Sequence, residues 1–121
     1  MVLSDFAETE WANVIEFYIQ DGMHESIELK TAVRLRDSSF SESWFPSISH
    51  WSLVISPTHN YEQRTEFPLI SIKGVSDGKA MLEVWRRYGD SNSFSRYDLH
   101  EDEVYERLLS FLESYKKASE I

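Results

Sequence analysis

Residues 67–74, FPLISIKG, and 79–88, KAMLEVWRRY, constrain this chain more than any other stretch. Both runs read as strands. Ser76, Asp77 and Gly78 lie between them. A short turn of that chemistry closes an antiparallel hairpin. An antiparallel sheet with one apolar face needs a cover. The fold must therefore supply amphipathic elements elsewhere.

The C-terminal segment is one of them. From about Asp98 or His100 onward, Val104, Leu108, Phe111, Leu112 and Tyr115 share one helical face. Glu103, Glu106, Arg107 and Glu113 line the other. Lys116 and Lys117 in the last turn suit the negative end of the helix dipole. A second helix is expected over residues 5–20. Asp5 and Glu8 resemble a capping box. Ala7, Trp11, Val14, Ile15, Tyr18 and Ile19 follow at helical spacing, with Phe17 as the misfit. Gly22 suits a left-handed helix end. NVIEFYI before Asp21-Gly22 also reads as a strand and hairpin, which keeps that alternative open.

Between these ends the alternation of Ile27, Leu29, Thr31, Val33 and Leu35 reads as a strand. Trp51, Leu53 and Ile55 read as another, ended by Pro57. PTHNYEQRTE, residues 57–66, reads as a polar connection. FSRYDL, residues 94–99, makes a short last strand after the turn GDSNS. The expected architecture is α+β, a two-layer sandwich. An antiparallel sheet of four to five strands carries an N-terminal and a C-terminal helix on one face. Residues 1–121 read as a single domain.

RDSSFSESWFPSISHWS, residues 36–52, reads as a serine-rich loop, yet it carries Phe40, Trp44, Phe45 and Trp51. Two readings compete. Phe40, Trp44 and Phe45 fold back to cap the core, with Trp51 buried in the next strand. Alternatively, Trp44 or Phe45 is an exposed anchor for a partner, because tryptophan is enriched among residues that dominate interface energetics.

The net charge of −9 is uneven. Residues 1–28 hold seven acids and no Lys or Arg, the middle is nearly balanced, and residues 99–121 are acidic again. Such a surface repels phosphate backbones, so nucleic-acid binding is not expected. It speeds encounter with a basic protein. Asp21, Glu25 and Glu28 form one candidate acidic patch, and Glu101 with Asp102 a second.

Catalytic patterns are missing. With no cysteine, thiolate and disulfide chemistry are excluded. No glycine-rich phosphate loop and no nucleophile elbow occur. His24 with Glu25 and Glu28 lacks the spacing of a metal site. Glu101, Asp102 and Glu103 suit a helix start rather than a catalytic pair. No cofactor and no metal are expected, and an enzyme is not expected. No run approaches the ~20 apolar residues of a membrane helix, and the N-terminus lacks a secretion signal. A cytoplasmic, soluble protein is expected.

In size, acidity, lack of cysteine, lack of catalytic motifs and α+β order, the chain resembles small toxin-immunity proteins, the antitoxin-type inhibitors of bacteria. That resemblance implies a protein that neutralises a cognate basic toxin, such as a nuclease, by blocking its active site. The alternatives are a homodimeric adaptor joined through a sheet edge or the aromatic loop, and a small-ligand protein.

Overall fold

A computed structural model describes residues 5–57 and 67–119. The expected polar connection at residues 58–66 lies outside the described residues, as do the side chains of Asp5, Ala7, Lys116 and Lys117. The elements run α1 (Asp5–Gln20), α2 (Ile27–Arg36), a 3-10 turn at Ser39–Glu42, β1 (Phe45–Ser49), β2 (Ser52–Ser56), β3 (Leu69–Gly74), β4 (Lys79–Trp85), a 3-10 turn at Ser91–Ser93, β5 (Phe94–His100) and α3 (Glu101–Ser119). The architecture is α+β. The five strands form one antiparallel sheet whose order, β1-β2-β3-β4-β5, follows the chain.

One face of that sheet is the core. Leu53, Ile55, Ile70, Ile72, Ala80, Leu82 and Val84 cluster with Trp11, Val14, Ile15 and Tyr18 of α1, with Ile27, Ala32 and Leu35 of α2, and with Val104, Leu108 and Leu112 of α3. The helices divide the sheet between them. α1 lies against β1, α2 against β2 and β3, and α3 against β4 and β5. The other face carries the alternate residues of each strand.

The helix at residues 5–20 is present, and its termination is as expected. Gly22 has φ 77°, its N–H donates to the Ile19 carbonyl, and the Met23 N–H donates to the Tyr18 carbonyl. This is a Schellman end, which needs a left-handed residue after the helix. Phe17 and Ile19 are both 40% exposed, so Ile19 leaves the apolar stripe assigned to it.

Three expectations are corrected. Residues 27–35 are helix, not strand. Ser26 caps it, its hydroxyl accepting from the Leu29 N–H at 3.1 Å. Buried Ile27, Glu28, Thr31, Ala32 and Leu35 recur at intervals of three and four, and Glu, Leu, Lys, Ala and Arg are strong helix formers. The period-two alternation was coincident with a period-3.6 stripe. Secondly, residues 36–52 are not a loop, because FPSIS forms β1. Pro46 is tolerated there because β1 is an edge strand. Thirdly, Trp51 belongs to no strand and is not buried. It sits in the turn between β1 and β2, 54% exposed.

Candidate protein-binding surface

The turn holding Trp51 has only two residues, His50 and Trp51, because Ser49 pairs with Ser52. Both have positive φ, 51° and 66°. Two left-handed residues in a row are what a type I′ hairpin requires, and Asn-Gly is the usual solution. Histidine and tryptophan bear a Cβ that crowds the following carbonyl, at roughly 1–2 kcal/mol per residue. The surrounding structure must hold the turn in place.

Two contacts from α1 do so. The Tyr18 hydroxyl donates to the Trp51 carbonyl at 3.0 Å. The Trp51 indole N–H donates to Asp21 Oδ2 at 2.7 Å. Tyr18 is fully buried, and burial, reinforced by the negative charge of Glu28, pushes its phenol well above the usual range. It therefore stays a neutral donor. Asp21 is the residue at which α1 leaves the helix, so the Schellman end aims its carboxylate at the turn. The indole is thus fixed while just over half of it faces water. It is the most exposed of the large hydrophobic residues described. Phe17, also exposed, lies one helical turn before Asp21.

The acids named from the sequence gather at this same end of the sheet. Asp21 holds the β1–β2 turn. Glu25 is exposed in the short link into α2. Glu28 reaches the end of β3, where its Oε1 accepts the Gly74 N–H at 3.2 Å. The Glu101 N–H donates to the Gly78 carbonyl in the β3–β4 turn at 2.9 Å. Asp102 follows it on the first turn of α3 and is exposed.

Glu28 is the exception among them. It is 4% exposed and faces the interior. Burial raises its carboxyl above the ordinary glutamate range, and Glu101 adds to the rise. Its own backbone N–H, that of Gly74 and the nearby Lys73 pull the other way. Gly74 permits the approach, because a Cβ there would lie 3.0 Å from Glu28 Oε1 and 3.1 Å from Ile27 Cγ2. Glu28 is thus a strut between α2 and β3 and offers nothing to a partner. Glu101 and Asp102 line a groove of about 590 Å³ between α2 and α3, across from His24, Lys30 and Arg34. The Arg34 guanidinium stacks 3.7 Å above the Tyr105 ring. These two acids therefore face bases and do not stand as an isolated negative patch.

The aromatics named from the sequence divide differently. Trp44 is 3% exposed and meets the Tyr115 ring edge-on, with centroids 5.4 Å apart. It is core, and the capping reading of the segment holds for it. Phe40 packs half-buried against the core. The 3-10 turn carrying it is tied to α1 by the Trp11 indole N–H, which donates to the Ser41 carbonyl at 3.0 Å. Phe45 is half-buried in β1. Trp51 is the exposed aromatic that sequence reasoning placed in a buried strand. The available signal was symmetry: FPSIS and SLVIS, five residues each, flank a two-residue gap.

Among the described residues no three His, Cys, Asp or Glu side chains come together as a metal site, and no helix is long and apolar enough to cross a membrane. No protein family, curated protein or solved structure matches the chain.

Proposed function

We propose that this is a non-enzymatic protein-binding domain that neutralises a basic partner, in the manner of an immunity or antitoxin-type inhibitor of a toxin such as a nuclease. The exposed, strained and doubly tethered Trp51 carries the proposal. A strained turn that holds a large apolar ring in water has no evident value to the fold alone. Strain of this kind clusters at ligand clamps and binding sites. A ring held rigid before binding loses little entropy on contact, and tryptophan is a frequent interface anchor. Asp21 and Glu25 at the same end would steer a positively charged partner toward it.

The test is capture from lysate of the source cells at low and high salt, with the wild-type chain and with Trp51→Ala as baits. The expected result is one basic protein held by the wild type, weakened by salt, and bound by Trp51→Ala at least about tenfold less tightly in subsequent calorimetry. A basic partner held equally by both baits would remove Trp51 from the interface. No salt-sensitive partner at all would remove the inhibitor reading.

A further inference from the structure

A second feature lies at the end of the sheet far from the β1–β2 turn. β3 starts and β4 ends there, with Leu69 opposite Trp85, whereas the β1–β2 and β3–β4 turns close the other end. A cavity of about 240 Å³ opens between this end and the C-terminal half of α3. An apolar cavity of ~150 Å³ holds benzene, so this one has room for a single ring with a short side arm. Ile70 and Val84, paired across β3 and β4 and part of the core, line it together with Pro68 and Phe111. Trp44 and Tyr115 add their rings, and Arg86 and Ser114 complete the lining. Arg86 is the next residue in phase with Ala80, Leu82 and Val84, so strand alternation carries it to the helix-covered side.

The polar side chains of this lining are unpaired. Trp44 is 3% exposed, yet its indole N–H donates to no described residue. That nitrogen is not sealed off, because among the described residues Thr31 Oγ1 is the one fully buried side-chain polar atom without a partner. The cavity that Trp44 lines is the opening it faces. The Arg86 guanidinium makes no ion pair or side-chain hydrogen bond with a described residue, and the Ser114 hydroxyl makes no hydrogen bond. The Pro68 carbonyl is already taken by the Ser56 hydroxyl at 3.0 Å.

These groups select the occupant. An indole and a guanidinium only donate, so the occupant must bring acceptors. No described acid lines the cavity, in a chain with 21 of them. A cation would meet Arg86 unopposed. A neutral hydrocarbon would leave the Trp44 N–H without an acceptor. Inorganic phosphate would find one guanidinium and leave the apolar lining uncovered. A carboxylate on an apolar body meets each demand, because its two oxygens match the guanidinium fork and keep lone pairs for further donors.

We propose that this cavity binds a small monocarboxylate whose apolar body is about the size of one ring. The body lies against Ile70, Val84 and Phe111, and the carboxylate accepts from Arg86 and from the Trp44 indole N–H. The site is separate from the surface around Trp51 and does not depend on the protein having a basic partner.

Nuclear magnetic resonance on the full ¹⁵N-labelled chain tests this through the indole N–H signals, with Trp51 as an internal control at the other end of the sheet. The probes are 3-phenylpropionate and hexanoate. The controls are 3-phenylpropionamide, 3-phenylpropylamine and inorganic phosphate. The expected result is a saturable shift of the Trp44 indole with at least one acid while the Trp51 indole stays still. The amide should bind about tenfold more weakly than its acid, because it loses the charge-assisted bonds. Arg86→Gln, at an exposed position, should weaken the acid by a similar factor. Arg86→Lys should fall between, since it keeps the charge and loses the fork. A Trp44 indole that responds to neither acid overturns the proposal. So does an equal response to the amide, the amine or phosphate, or an acid affinity unchanged by Arg86→Gln.

Discussion

The β1–β2 turn gives the sharpest test of the reasoning, through His50→Asn. His50 is exposed, has φ 51°, and its side chain bonds to no described residue. Replacing it removes no hydrogen bond or ion pair with a described residue. Asparagine tolerates the left-handed region because its short amide can bond locally, and it is the preferred first residue of a type I′ turn. Of the ~1–2 kcal/mol that a left-handed residue with a Cβ costs, about 0.5–1 kcal/mol should be recovered. For a chain of this size that raises the melting temperature by roughly 2–5 °C. Urea unfolding followed by tryptophan fluorescence should show a higher midpoint at an unchanged slope. His50→Val supplies the opposite sign, since a branched Cβ worsens the same clash. The stability order Asn above His above Val is therefore expected. An unchanged or lowered midpoint for His50→Asn would mean that the turn stores no strain, and the argument from strain to a binding role at Trp51 would fall with it.

Two further outcomes follow from burial. Trp44→Ala should cost about 3–5 kcal/mol, the range for emptying a tryptophan site in a packed core, read from the same urea midpoints; near-wild-type stability would put Trp44 outside the core. Glu28 has a folded-state pKa raised by burial, so the folded chain holds that proton more tightly than the unfolded chain does. Its stabilising effect is full below the ordinary glutamate value of about 4.3 and is lost as pH rises through the raised folded value. Glu28→Gln keeps an oxygen for the Gly74 N–H and should flatten the decline in stability across that window. Parallel pH profiles for the two proteins would show that Glu28 is not desolvated.

The β3–β4 hairpin was legible because two strand-like runs flank the Ser76-Asp77-Gly78 turn, and α3 because one helical period dominates it and its dipole chemistry agrees. α2 was not, because Ile27, Leu29, Thr31, Val33 and Leu35 satisfy a strand while Ile27, Thr31, Ala32 and Leu35 satisfy a helix. Ser26 and the helix-forming residues tip the balance locally, and packing over β2 and β3 completes it. β1 was hidden by proline and serines, which read as loop but suit an edge strand. The end of the molecule that gathers acids was partly legible as charge asymmetry. Its exposed aromatic is Trp51 and not Trp44, seven residues earlier, which is core. Alternation put Trp51 in phase with Leu53 and Ile55, and no local signal announces a left-handed His-Trp turn. That conformation is imposed from α1 by Tyr18 and Asp21, which are distant in sequence.

The agreement of strand order with chain order bears on how the molecule comes into being. Each strand pairs with its neighbour in the chain, so the sheet can grow hairpin by hairpin with short loop closures, a route that favours fast folding. Its cover does not arrive in the same order. α1 and α2 precede β1 to β3 and can shelter them as they form. β4 and β5 precede α3, so Leu82, Val84 and Tyr97 face water until that helix docks. During this interval the half-covered sheet is exposed to misassociation. The docking of α3 is the step that closes it.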